Sequence, residues 1–163
     1  MKSPAMPAAT DSPGVLLPPP LIPLAMLVAG VALQRVAPLR CLSRVPAAWR
    51  IGTGVGAALA GGLAINASLR ALERDGTNVS PYRPSLAVAT SGPYARSRNP
   101  IYVGGLAGLA GIAITFALDW VLLLFPPGIL LLHQGVVLRE ERYLERKFGG
   151  AYRAYKAAVR RYL

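Results

Sequence analysis

Four long stretches without a single charged residue limit the folds that are open to this chain. They cover residues 15–33, 51–69, 101–118 and 120–138, and none contains Asp, Glu, Lys or Arg. Each approaches the roughly 20 residues that a helix needs to cross about 30 Å of hydrocarbon. We therefore predict an all-α, multi-span helical membrane protein with about four transmembrane helices. Residues 15–163 should form one membrane domain after a flexible N-terminus, residues 1–14.

Proline and glycine indicate how these helices begin and pack. The four prolines of residues 18–23 remove backbone donors, so the first helix should start late or be kinked, and Pro126-Pro127 should kink the fourth. The run Gly52-Thr53-Gly54-Val55-Gly56 matches part of a dinucleotide-binding motif, but that motif needs a preceding strand, and none is predicted here. Gly61 continues this pattern, and Gly104 and Gly108 lie four residues apart. Such spacing favours close helix packing.

The charge is strongly basic and lies outside the apolar stretches. The chain has 18 Lys and Arg against 7 Asp and Glu, which gives a net charge of +11. This distribution favours anionic lipid headgroups and argues against nucleic acid as a partner. Residues 71–100 and 139–163 carry most of the basic residues, so both should lie on the cytoplasmic side of a bacterial inner membrane. Residues 139–163 should form an amphipathic interfacial helix with a break at Gly149-Gly150, and Arg161 should be among the residues that face water.

Two polar clusters are the candidates for chemistry. Gly92-Pro93-Tyr94 and Arg98-Asn99-Pro100-Ile101-Tyr102 precede the third stretch, and Glu140-Glu141 follow the fourth. A helical hairpin would bring both clusters to the same membrane surface. Asn99 should cap the third helix and Pro100 should occupy its first position. The single Cys41 excludes an internal disulfide and argues against a cysteine-based metal site, and no metal is predicted.

The residue types in these clusters suit a nucleotide with an acidic group. A helix N-terminus with Arg98 and nearby tyrosines can hold a carboxylate and a stacked ring, while Glu140 and Glu141 can accept hydrogen bonds from ribose hydroxyls. His133 should share a helix face with Glu140, about two turns deeper. S-adenosylmethionine has a carboxylate, a planar base and ribose hydroxyls, and other nucleotides share some of these groups. In the structural alternative the glutamates only pair with arginines and His133 only bonds a neighbouring helix.

Residues 76–163 contain a spaced set of short motifs that resembles a known enzyme group. It consists of Gly76-Thr77-Asn78-Val79, Arg83-Pro84-Ser85, Gly92-Pro93-Tyr94, Arg98-Asn99-Pro100-Ile101-Tyr102, Glu140-Glu141, Leu144, Phe148-Gly149, Tyr152 and Tyr155. The set resembles the C-terminal half of integral-membrane methyltransferases of the isoprenylcysteine carboxyl methyltransferase and phospholipid N-methyltransferase group.

The resemblance implies an S-adenosylmethionine-dependent enzyme whose cofactor lies between the Arg98 segment and the glutamate pair. The cofactor-binding residues that it implies are Tyr94, Arg98, Asn99, Pro100, Tyr102, His133, Glu140 and Glu141. Many members of this group have His where this chain has Asn99, and Asn cannot accept a proton at neutral pH.

The methyl acceptor is not readable from the sequence. An isoprenylcysteine-like carboxylate, a phospholipid amine and a small isoprenoid or thiol all fit a lipophilic or amphiphilic acceptor at the cytoplasmic face. An amine or alcohol would need a base, for which Glu140 and Glu141 are the candidates. The alternatives are an NADPH-dependent membrane reductase of the steroid-reductase type and a non-catalytic membrane subunit. The paired glutamates favour the methyltransferase.

Overall fold

A computed structural model describes residues 11–79 and 83–163, and this part of the chain is all-helical, as predicted. Its α-helices are α1 Leu21–Val36, α2 Ala47–Arg74, α3 Pro100–Thr115, α4 Asp119–Leu123, α5 Phe125–Leu132, α6 Leu138–Phe148 and α7 Gly150–Ala158. Two 3₁₀ turns, Leu42–Arg44 and Gly92–Ala95, and one π-helical turn, His133–Val137, lie between them. No strand occurs in these ranges; the β-type pairing found there is one bridge between Ser97 and Arg160.

The lengths of the helices do not confirm the count of about four spans. Within the described ranges, α2 is the one helix that is both long and apolar enough to cross a membrane, with 28 residues. The apolar helices α1 and α3 have 16 residues each, or about 24 Å of helix. The fourth apolar stretch, residues 120–138, is interrupted at Leu124, close to the predicted kink at Pro126-Pro127, and changes to a π-helical turn at His133. Pro126-Pro127 lie in the first turn of α5, where missing donors are tolerated.

The long helix α2 packs against α3 through glycine. A Cβ atom on Gly61 would lie 2.6 Å from the Gly108 nitrogen, and one on Gly104 would lie 2.8 Å from the Gly61 oxygen. A Cβ atom on Gly54 would lie 2.7 Å from the Gly111 oxygen. These approaches leave no room for a side chain, which confirms close helix packing through small residues. A 3₁₀ turn, and no strand, precedes α2, so the glycine run has no dinucleotide-binding context.

A buried apolar cluster joins α1 to the segments that follow α3. It contains Ile22, Met26, Leu109, Ala113, Val121, Leu132, Val136 and Val137. Helix α1 begins at Leu21, after three of its four neighbouring prolines, so the predicted late start is confirmed. A Cβ atom on Gly128 would overlap the Met26 side chain, which shows how closely α1 and α5 approach. The cluster sets the position of α6, because α6 continues directly from the π-helical turn.

The C-terminal region is amphipathic and broken, as predicted. Gly149 separates α6 from α7 and has φ +54°, a conformation that favours glycine. Tyr143 and Tyr152 face inward, whereas Arg142 and Arg153 are exposed. One expectation needs correction: Arg161 does not simply face water, because its side chain is only partly exposed and turns back towards α6, where it contacts Glu141. This return is directed by the backbone, since the nitrogen of Arg98 donates to the oxygen of Arg160.

Candidate functional site

A cavity of about 570 Å³ lies between α2, α3, α6, α7 and the segments that precede α1 and α3. Its volume is within the range of small-molecule binding sites. The polar residues of its wall include Tyr94, Arg98, Asn99, Tyr102, Glu140, Tyr152 and Tyr155, with Thr77, Asn78, Arg83, Ser85 and Tyr143 from the neighbouring segments. The aliphatic part includes Ile22, Ile65, Leu69, Leu72, Leu106 and Leu132. One chamber therefore joins a polar region to an apolar one.

The start of α3 brings the first polar cluster to this cavity. The oxygen of Asn99 accepts hydrogen bonds from the nitrogens of Tyr102 and Val103, both at 3.1 Å, and Pro100 is the first helical residue. The positions predicted for Asn99 and Pro100 are confirmed. The side chain of Asn99 does not cap the helix, however. Its Nδ2 donates to the oxygen of Arg161 at 3.0 Å, because the returning C-terminal tail places this carbonyl beside it.

Glu140 and Glu141 have different surroundings although they are adjacent. Glu140 lines the cavity, and its Oε1 accepts a hydrogen bond of 2.8 Å from the Tyr102 hydroxyl. Burial raises the pKa of Glu140 to about 7, while the bond from Tyr102 acts in the opposite direction. A carboxyl group with such a pKa can exchange a proton at neutral pH.

Glu141 is instead held by two arginines. Its Oε1 lies 3.0 Å from Arg98 Nη1, and its two oxygens accept hydrogen bonds of 2.9 Å from Arg161 Nε and Nη2. The side chain is 7% exposed and is not among the described residues that line the cavity. The structure therefore shows Glu141 paired with arginines, as the structural alternative in the sequence analysis expects.

Arg98 has an unused donor at the cavity wall. Its side chain is 8% exposed, and within the described part of the chain neither its Nε nor its Nη1 has a hydrogen-bond partner, although Nη1 lies 3.0 Å from Glu141 Oε1 as an ion pair. A buried donor without a partner is costly, so a partner from a ligand would be favourable. The nearby cluster also sets two guanidinium groups against the one carboxylate of Glu141, which leaves excess positive charge. Both features suit a ligand carboxylate.

The tyrosines of the wall can donate hydrogen bonds but cannot act as bases near neutrality. Burial raises the pKa of Tyr152 to about 12 and raises that of Tyr94 further above its ordinary range. The Tyr155 hydroxyl donates to the oxygen of Tyr94 at 2.8 Å, which ties α7 to the turn before α3. Aromatic rings at the polar end can also stack on a planar ligand group.

His133 is not brought to the cavity. Its Nδ1 lies 2.7 Å from the Tyr162 hydroxyl, and the described cavity lining does not include it. The expected common face with Glu140 assumed continuous α-helix, but His133 begins the π-helical turn, whose wider repeat changes the register. Pro100 is also absent from that lining, since it forms the helix start behind Asn99.

Sequence reasoning missed the contribution of the C-terminal tail and of the segment before α1. Arg161 looks like any other arginine in a basic run, and no local signal distinguishes it. The Tyr143 hydroxyl accepts a hydrogen bond from Ser85 nitrogen at 3.1 Å and donates one to Asp11 Oδ1 at 2.9 Å. Lys147 also pairs with Asp11. These contacts hold the N-terminal segment and the loop before α3 together near the cavity.

Comparison with known proteins agrees with the resemblance noted in the sequence. The model of the phospholipid methyltransferase family matches residues 49–151, which include both polar clusters. An uncharacterized protein of Haemophilus influenzae is 57% identical over 35 residues, or 22% of this chain, and the match spans 56% of that relative's length. No solved structure matches. Since the family match covers more than half of the chain, this protein belongs to the phospholipid methyltransferase family.

Proposed function

We propose that this protein transfers a methyl group from S-adenosylmethionine to a lipophilic or amphiphilic acceptor at the cytoplasmic face of a membrane. Membership of the phospholipid methyltransferase family supports methyl transfer as the reaction. The observation that carries the proposal is a cavity whose wall includes Arg98 and Glu140 together with many aliphatic side chains. Such a cavity can hold a polar cofactor and an apolar acceptor side by side.

The polar end has groups that match the parts of the cofactor. Arg98, with its free Nε, would bind the amino-acid carboxylate, and Glu140 would accept hydrogen bonds from ribose hydroxyls. Tyr94 and Tyr152 would contact the base. When bound, the cofactor supplies a methyl group that its sulfonium charge has already activated. Glu141, together with Pro100 and His133, would support this wall without touching the ligand.

The apolar end would hold the acceptor's hydrocarbon part. Ile65, Leu69 and Leu72 of α2, Leu106 of α3 and Leu132 of α5 all line the cavity. The main catalytic contribution would be alignment of the acceptor atom, which can supply several kcal/mol of the barrier reduction. A carboxylate or thiolate acceptor needs no base. For an amine acceptor, Glu140 would take the proton, because its pKa of about 7 allows it to be ionised at neutral pH.

Calorimetry on the purified protein in detergent tests the proposal. We expect S-adenosylmethionine and S-adenosylhomocysteine to bind, NADPH not to bind, and Glu140→Gln to weaken binding of the two sulfur nucleotides. Glu145→Gln is the matched control, since Glu145 lies on the same helix but pairs with Lys156 outside the cavity. Binding of NADPH alone would point to a reductase. Folded protein that binds none of these ligands would favour a non-catalytic membrane subunit.

A further inference from the structure

The last residues of the chain return to the candidate site. After α7 ends at Ala158, the oxygen of Arg160 accepts a hydrogen bond of 2.9 Å from the nitrogen of Arg98. The oxygen of Arg161 accepts another, of 3.0 Å, from Asn99 Nδ2. The Ser97 hydroxyl lies 3.4 Å from the same oxygen of Arg161. The tail thus runs along the three residues that lead into α3.

The side chains of the tail point to opposite sides of this contact. The Tyr162 hydroxyl lies 2.7 Å from His133 Nδ1, and Tyr162 packs against the buried apolar cluster that joins α1 to the segments that follow α3. The Arg161 side chain instead makes a two-point contact with the Glu141 carboxylate. A two-point contact fixes the plane of a carboxylate as well as its distance. The tail is therefore anchored on one side and orients Glu141 on the other.

Glu141 connects Arg161 to the residue that faces the ligand. Arg161 Nε and Arg98 Nη1 both lie near Glu141 Oε1, at 2.9 and 3.0 Å. Because Arg161 occupies both carboxylate oxygens, Glu141 meets Arg98 through one nitrogen, and Arg98 Nε remains free. Without Arg161 the carboxylate could turn and form a two-point pair with Arg98. The donors of Arg98 would then be bonded to Glu141 and would no longer be available to a ligand.

We propose that Arg161 is a positioning residue: through Glu141 it keeps the guanidinium group of Arg98 available to a ligand carboxylate. This inference rests on the proposed function, in which Arg98 binds the carboxylate of the cofactor. It assigns a specific role to Arg161, a residue of the C-terminal tail that lies outside residues 49–151, the part matched by the family model. Arg161 itself is not among the described residues of the cavity wall.

Two ligands that differ in one part separate this role from a merely structural one. S-adenosylhomocysteine has the amino-acid carboxylate, whereas 5′-methylthioadenosine has the same nucleoside and thioether sulfur but lacks the whole amino-acid group, both carboxylate and amine. We expect Arg161→Gln to weaken S-adenosylhomocysteine binding by on the order of tenfold, as is typical when a partner that orients a binding group is lost. The affinity for 5′-methylthioadenosine should not change. Arg161→Lys, which can contact only one point, should show an intermediate loss.

The matched control is Arg160→Gln, which removes the same charge from an exposed neighbouring side chain and should leave both affinities unchanged. Equal weakening of both ligands in Arg161→Gln, or no weakening, would overturn the inference while leaving the proposed function intact. If the unaltered protein does not prefer S-adenosylhomocysteine to 5′-methylthioadenosine, the proposed role of Arg98 is wrong and the inference fails with it. Should Arg161→Gln not fold, the same comparison with Arg161→Lys decides the question.

Discussion

Replacing Glu141 by Gln should destabilise the protein far more than the same change at Glu140. In Glu141→Gln the shape of the side chain remains, but its charge is lost between Arg98 and Arg161. The Arg98 side chain is 8% exposed, so its charge would stay buried without a counter-ion. In Glu140→Gln the amide oxygen can still accept the hydrogen bond from Tyr102, and a buried carboxyl group is replaced by a neutral one.

The expected loss in free energy of unfolding follows from how deeply each partner of Glu141 is buried. Removing one member of a buried ion pair costs about 3–5 kcal/mol. We expect the lower end, about 3 kcal/mol, because the Arg161 side chain is 34% exposed and can turn towards water. For a chain of this length that corresponds to a fall in Tm of about 6–12 °C. Glu145→Gln breaks a pair with Lys156 in which both side chains are more than one-third exposed, and it should cost less than about 1 kcal/mol.

Thermal unfolding in one detergent at one scan rate, followed by circular dichroism, compares the three variants. The expected order of Tm is Glu140→Gln close to the unaltered protein, Glu145→Gln slightly lower, and Glu141→Gln lowest by a clear margin. A fall for Glu141→Gln no larger than that for Glu145→Gln would refute the reasoning, because the charge at Glu141 would then not be buried between its arginines.

Three further results are expected. The affinity for S-adenosylhomocysteine should fall by up to about tenfold per pH unit below pH 7, because Glu140 has a pKa of about 7 and ribose hydroxyls favour its ionised form. Calorimetry should show this dependence in the unaltered protein and not in Glu140→Gln. In thermal unfolding, Gly61→Ala should lower the free energy of unfolding by about 1–3 kcal/mol, because the new Cβ would lie 2.6 Å from a backbone nitrogen of α3. The control Gly62→Ala has open space around it and should be neutral or slightly stabilising. Tyr143→Phe should remove the acceptor of the Ser85 amide and one of the two contacts of Asp11, the other being Lys147, so hydrogen exchange should become faster at Ser85 but not in α2.

Much of the fold and part of the candidate site could be predicted because the relevant signals are local. The apolar stretches, the prolines of residues 18–23 and the glycines of α2 and α3 indicate helices, a late start and close packing. Asn99-Pro100 predicts the first residue of α3 because the backbone restrictions of proline act on neighbouring residues. The meeting of Tyr102 with Glu140 follows from a helical hairpin, whose ends must come together.

The sequence by itself therefore determined that the chain is helical and apolar, where α3 begins, and which two polar clusters come together. Only the tertiary structure decided that Glu140 faces the cavity while Glu141 is held by arginines, and that His133 turns towards Tyr162. It also decided that Arg161, one basic residue among many, returns to the start of α3. The physical reason is that helix register after a π-helical turn and contacts between residues some sixty positions apart depend on packing, which short-range sequence patterns do not encode.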